Sequence, residues 1–90
     1  MQIEKKITII NKLGLHARAA SKLVGEATRY ESQILIDKEG QQADAKSIMS
    51  ILMLAAGKGT ELLFQISGAD AEDAFAAVET LINNRFDEDE

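Results

Sequence analysis

The chain has no cysteine, no proline and no tryptophan, and a single histidine among its 90 residues. Without cysteine there is neither a disulfide framework nor a thiolate metal site, a usage that suits a reducing compartment. No apolar run approaches the ~20 residues of a membrane span, and Met1-Gln2-Ile3-Glu4-Lys5 lacks the layout of a secretory signal. The expectation is a cytoplasmic protein that does not enter a membrane. Aromatics are few, one tyrosine and three phenylalanines, and no basic run is present, so nucleic-acid binding has little support. No metal site is expected, and no cofactor. Gly57-Lys58-Gly59-Thr60 looks at first like a phosphate loop, but Leu52 stands where that motif needs its earlier glycine. It reads as a turn into a strand.

What is present suits one domain spanning residues 1–90, with a single core. Hydrophobic residues make up 46% and charged residues 28%. The net charge of −5 is uneven. Four of the 15 acids are Asp87, Glu88, Asp89 and Glu90, which leaves 11 acids against 10 bases in the body. The short acidic tail, residues 87–90, reads as a solvated, frayed end. Lys12, Arg18, Lys22, Lys46 and Lys58 are expected to gather near His16.

Hydrophobic spacing supplies the elements. From Ile3 to Ile10, Ile3, Ile7 and Ile9 share one parity with Lys5, the pattern of a half-buried strand. Asn11 to Gly14 connects it to a helix over about Ala17–Arg29 that buries Ala20, Leu23, Val24 and Ala27. Gly25 weakens that helix, and a close packing contact would explain its presence. Ser32–Asp37 alternates with Ile34 and Ile36 inward; a turn at Lys38-Glu39-Gly40 leads to a short strand over Gln41–Ala45. Ser47–Leu54 is apolar on nearly every side, so periodicity alone would equally allow a buried strand. Ser47 as an N-cap and Gly57 beyond the end favour a short helix there. Thr60–Ser67 is a strand with Leu62, Phe64 and Ile66 on one face. A last helix begins near Ala69 or Asp70, with Asp70, Glu72 and Asp73 complementing its positive end. Ala71, Ala74, Phe75, Val78, Leu81 and Ile82 form its buried stripe. The order β-α-β-β-α-β-α, with helices on one face of four strands, is an α+β two-layer domain.

Chemistry concentrates at Gly14-Leu15-His16-Ala17-Arg18. A neutral imidazole is a competent nucleophile near pH 7. Where a helix begins, the unpaired N–H groups of its first turn can hold an anion. Arg18 adds a permanent charge with several donors suited to phosphate oxygens. Gly14 suggests a tight reversal that exposes His16 to solvent. Together these residues suit a site that accepts a phosphoryl group.

Asn11-Lys12-Leu13-Gly14-Leu15-His16-Ala17-Arg18, Lys46-Ser47-Ile48-Met49 and Leu54-Ala55-Ala56-Gly57-Lys58-Gly59-Thr60 resemble the histidine-containing phosphocarrier proteins (HPr) of the bacterial phosphotransferase system. Phe86-Asp87-Glu88-Asp89 is similar to the ending of the nitrogen-related branch, NPr. The likeness covers essentially the whole chain and implies an open-faced β-sandwich, a four-stranded antiparallel sheet with three helices on one side. It implies a stoichiometric carrier, not an enzyme. His16 would take a phosphoryl group on Nδ1 from an enzyme I-type donor and pass it to an enzyme IIA-type acceptor. Arg18 and the Ala17 backbone N–H would steady the phosphoryl oxygens, and the protein would act as a monomer. Most of the family has proline where this chain has Ala19; alanine suits a first helical turn equally and adds an N–H.

The resemblance also makes Ser47 a regulatory position for a serine kinase, although its hydroxyl serves equally as a helix cap alone. It makes Ile48, Met49 and Leu52 a partner-docking patch, where spacing by itself would equally allow core. Met53 stands where sugar-branch members more often carry a polar residue. A different class of function, a regulatory binding module whose contacts depend on phosphorylation state, fits the same residues.

Overall fold

Apolar residues alternating along four segments put their side chains on one face of a sheet, and the helices cover that face. The structure, a computed structural model, describes residues 1–90. β1 (Gln2–Thr8), β2 (Gln33–Lys38), β3 (Gln41–Asp44) and β4 (Glu61–Ser67) pair antiparallel in the order β1-β4-β2-β3. Ile7 stands opposite Leu62, Ile3 opposite Ile66, Ile34 opposite Ile66, and Ile36 opposite both Phe64 and Ala43. With a side-chain period of two, all of these share the inner face. Ile7, Ile34, Ile36, Ala43, Leu62, Phe64 and Ile66 are buried there. Lys5 has the same parity, and its ammonium lies 5.9 Å from the centre of the Phe75 ring, covering apolar surface without entering the core. The outer face is mostly polar, Leu35 and Leu63 apart: Lys6 pairs with Glu61 at 3.6 Å and Gln65 donates to Glu4 at 3.0 Å.

β1 ends at Thr8, short of the expected Ile10. Beyond it, Ile9 leaves the ladder and exchanges bonds with the loop before β4, donating to Thr60 O and accepting from Gly59 N. Its side chain remains fully buried.

The helices are α1 (Ala17–Ala27), α2 (Ile48–Met53) and α3 (Ala71–Asn83), so the expected order of elements holds from end to end. α1 buries Ala19, Ala20, Leu23 and Ala27; Val24 is only half-buried and Ala19 joins the stripe. It stops before Arg29 because Arg29 N and Tyr30 N bond three residues back, to Glu26 O and Ala27 O, the tighter turn that closes many helices. Gly25 has no packing reason to be glycine: a Cβ built there meets nothing within 4 Å. Gly25→Ala should therefore raise stability by about 0.5–1 kcal/mol, read as a higher urea midpoint with an unchanged slope.

Ser47 caps α2, its Oγ accepting from Ser50 N at 3.3 Å. The far end differs from expectation. Ala55, at φ +50, takes the left-handed position assigned to Gly57. Two sheet side chains serve the last carbonyls: Lys38 Nζ donates to Leu54 O at 2.8 Å and Gln41 Nε2 to Met53 O at 3.2 Å. With those acceptors satisfied by side chains, no glycine is required.

Asp70 precedes α3, but its carboxylate does not cap it. It accepts from Ser32 Oγ, Ser32 N and Glu31 N, which ties the entry of β2 to the start of α3. The Ser32 hydroxyl first, then the Glu31 amide, hold the Asp70 carboxyl below the usual aspartate value. A lowered folded value contributes stability that is complete above the unfolded value. That contribution fades as pH falls through aspartate's ordinary ~4 toward the lowered one. Asp70→Asn should flatten this acid limb, seen by comparing urea midpoints of both proteins at pH 7 and pH 3.

The acidic tail is not frayed, contrary to the sequence expectation. Arg85, Phe86 and Asp87 have φ of +56, +54 and +62, a left-handed turn that costs L-residues roughly 1–2 kcal/mol each. Fully buried Phe86 offsets part of it by entering the same core as Leu23, Phe64 and Ile82, and hydrogen bonds from Lys22 to Phe86 O and from Asn11 to Glu88 add to that. The turn throws Asp87–Glu90 back across the beginning of α1.

Candidate functional site

The loop before α1 is clamped from two sides. Gly14 has φ +68, and a Cβ there would run into the Ala56 carbonyl and Gly57 Cα. Leu15 N donates to Ala56 O at 2.8 Å and the Leu15 side chain is buried. Only glycine fits between these backbones, and the anchored Leu15 sets the direction of the next residue.

His16 is the N-cap residue of α1, extended at φ −75 and ψ 178. Its carbonyl accepts from Ala20 N, while its ring makes no cap hydrogen bond. The N–H groups of Ala17, Arg18 and Ala19 have no backbone acceptor, as at any helix start. Ala17 and Arg18 are exposed and Ala19 is buried.

The ring turns toward the tail instead. His16 Nε2 lies 2.6 Å from Glu88 Oε2, and the other Glu88 oxygen accepts from Asn11 Nδ2 at 3.0 Å. Asn11 is fully buried, and its Nδ2 also donates to Gly14 O at 2.9 Å. Both partners are acceptors, which fixes the amide with nitrogen toward them; Asn11 Oδ1 has no partner. His16 is therefore half-buried, with 29% of its side chain exposed, rather than open to solvent.

Three further contacts fasten the tail. Lys22 Nζ donates to Phe86 O at 3.0 Å and meets Asp87 at 3.3 Å, and Lys12 N donates to Glu90 O at 3.0 Å. Lys12, Leu13, His16, Arg18, Glu88, Asp89 and Glu90 line one open cleft. Of the cations expected here, Lys12, Arg18 and Lys22 are present. Lys58 borders the adjoining cleft with Arg85. Lys46 is elsewhere, donating to Tyr30 O beyond the other end of α1.

Burial pushes the Glu88 carboxyl up, but hydrogen bonds from Asn11 and His16, with the charges of His16 and Arg18, more than reverse this. Its net value is lowered. The tail's grip is therefore complete above the ordinary glutamate value and weakens as pH falls through the lowered one. Protection of the Lys12 amide from hydrogen exchange should drop over that acid range, and stay flat in Glu88→Gln.

Ser47 is half-buried at the start of α2, where it caps the helix, and its neighbour Lys46 donates to Tyr30 O. Of the expected docking residues, Met49 is 68% and Ile48 40% exposed, whereas Leu52 packs partly against the core. Leu13 and Met53 are as exposed as Met49. Sequence reasoning missed Asn11, Phe86 and Glu88. One signal was available: Ala74, Val78, Ile82 and Phe86 continue a four-residue spacing past the helix end, so Phe86 lies in line with the buried stripe.

Residues 3–84 match the family model described as PTS HPr component phosphorylation site. The phosphocarrier protein HPr of Pseudomonas aeruginosa is 55% identical over 86 residues, covering 94% of this chain and 96% of the relative. The HPr of Cupriavidus necator is 48% identical over 88 residues, covering 98% and 99%. Among solved structures, HPr-C-His of Thermoanaerobacter tengcongensis superposes with a TM-score of 0.94 at 39% identity, covering 98% of this chain and 99% of that one.

Proposed function

The chain belongs to the HPr family, the phosphocarrier proteins of the phosphotransferase system, and we propose that His16 is the residue that carries its phosphoryl group. A member of this family is a stoichiometric carrier and not a catalyst, so the whole domain, residues 1–90, exists to present one atom. The observation that carries the reading is the ring's orientation. His16 Nε2 is engaged by Glu88, which leaves Nδ1 as the nitrogen available for bond formation.

Transfer between two imidazoles spreads charge over the phosphoryl oxygens in the transition state, so positioning and fixed donors do most of the work. The Ala17 and Arg18 amides, which follow His16 at the start of α1, and the Arg18 guanidinium, which lines the same cleft, would be the donors to a group on Nδ1. Arg18 has no carboxylate partner within salt-bridge distance, so it can turn to the phosphoryl group without breaking an ion pair. A moderate grip suits a carrier, since one that overstabilised its loaded form would not release the group.

The donor is an enzyme I-type protein and the acceptor an enzyme IIA-type protein, in the nitrogen-related branch, which the tail sequence and Met53 favour. Exposed Met49 and Ile48, with half-exposed Leu52, form the docking patch, methionine adapting to partners of different shape. At Ser47 a serine kinase would place roughly −1.5 to −2 charges beside that patch, where they repel an acidic partner surface.

The protein, incubated as a monomer with phosphoenolpyruvate and each enzyme I paralogue of one host, should gain one acid-labile phosphoryl group by intact mass, located on His16. It should gain it faster from the nitrogen-branch paralogue. An acid-stable adduct, or one on another residue, contradicts the assignment; equal rates from both paralogues contradict the branch.

A further inference from the structure

We infer that Glu88 is a positioning residue for phosphoryl transfer, holding the His16 ring with its proton on Nε2 and its Nδ1 lone pair outward. The inference rests on His16 being the acceptor and adds a reason why one ring nitrogen, and one ring orientation, is used.

Four observations converge on it. The Nε2–Oε2 distance of 2.6 Å is a close hydrogen bond, and its carboxylate acceptor makes it charge-assisted. A carboxylate is acceptor-only, so the shared proton belongs to Nε2 and the tautomer follows. The carboxylate is itself fixed: Asn11 Nδ2, buried and anchored on Gly14 O, donates to its second oxygen, and only 12% of the Glu88 side chain is exposed. Finally, the backbone accepts three consecutive left-handed residues, Arg85, Phe86 and Asp87, to bring Glu88 to this place. Lys22 ties that turn to α1 through Phe86 O. A strained turn persists only where surrounding contacts over-determine it.

The chemistry balances without any further reactant. The Nδ1 lone pair forms the new N–P bond as the donor's N–P bond breaks, and that electron pair departs with the donor ring nitrogen. The Nε2 proton stays where it is, so the ring gains cationic character as its Nδ1 lone pair is used. Glu88 meets that developing charge at a hydrogen bond already in place. Return of the group to an acceptor imidazole reverses each step.

Two measurements on the full chain test this. Ring nitrogen-15 shifts of unphosphorylated His16, recorded about two pH units above free imidazole's value, should show the proton on Nε2 and a bare Nδ1 in the wild type. Glu88→Gln and Glu88→Ala should both move the population toward the Nδ1–H form, because glutamine can donate as well as accept and alanine can do neither. A contact that only tethered the tail would leave ring protonation unchanged. In phosphoryl uptake from phosphorylated enzyme I, both variants should lose roughly tenfold or more in kcat, with KM moved by less than about threefold.

An unchanged tautomer population in both variants, or uptake at the wild-type kcat, overturns the role of Glu88. A wild type that is phosphorylated on His16 beside variants equally fast sinks Glu88 alone. A wild type that never takes the group on His16 removes the acceptor reading first, and this one with it.

Discussion

His16→Ala should give a folded protein that accepts no phosphoryl group from enzyme I, a complete loss against full loading of the wild type. No other histidine exists to substitute. The fold should tolerate the change because the ring is not part of the core and caps nothing. What is lost is one hydrogen bond to a carboxylate, about 1.5–3 kcal/mol at most. Glu88 retains its bond from Asn11 and reaches solvent on its outer side. Intact mass after incubation with phosphoenolpyruvate and enzyme I reads the first effect, and urea unfolding reads the second. The same variant separates a pure carrier from a binding module. A carrier loses every downstream effect, whereas a module that works through Ile48 and Met49 keeps some partners. Detectable acid-labile phosphorylation of His16→Ala would contradict the assignment outright.

Phe86→Ala should be the most damaging substitution in the tail, lowering stability by about 3 kcal/mol or more. The ring is fully buried, and truncation removes both its transfer energy and its packing. Release of the left-handed turn at residues 85–87 returns part of that loss, which places the expectation at the lower end of the phenylalanine range. The effect should not stop at stability. Phe86 is what fastens the turn that carries Glu88, so the variant should reproduce the ring-tautomer change of Glu88→Ala although residue 88 is intact. A loss below about 1 kcal/mol, or a ring unchanged in protonation, would show that the tail is held by its charges alone. Those charges, Lys12 with Glu90 and Lys22 with Asp87, are exposed pairs of little individual worth, which is why the phenylalanine is expected to dominate.

The strands were the most legible part. Period-two alternation at Ile34 and Ile36 and at Leu62, Phe64 and Ile66 is a local signal, and sheet pairing only amplifies it. Helix existence was readable for α1 and α3, whereas α2, apolar on nearly every side, would read similarly as a buried strand; helix ends were not readable. α1 closes early through backbone bonds three residues back, and α2 ends on Ala55 because Lys38 and Gln41 arrive from the sheet to satisfy its carbonyls. Neither is visible in a window of neighbouring residues. Gly25 illustrates the converse, since a glycine in a helix invites a packing explanation that the structure does not supply.

The candidate site divides along the same line. His16, Ala17 and Arg18 are contiguous, and their meaning comes from standing where a strand-side loop becomes a helix, so sequence suffices to place them. Asn11, Glu88 and the ring's orientation depend on a contact between residues 72 positions apart. The charge run Asp87–Glu90 looks by composition like a solvated end, and it would be one if Phe86 did not enter the core.

Sequence by itself determined the element order, the inner face of the sheet and the identity of the one imidazole, because each is set by spacing along the backbone. Only the tertiary structure decided which ring nitrogen is free and what lies across the start of α1. Those answers come from the last residues of the chain folding back onto the first helix, where burial of one phenylalanine, together with the hydrogen bonds of Glu88 and Lys22, holds a left-handed turn in place.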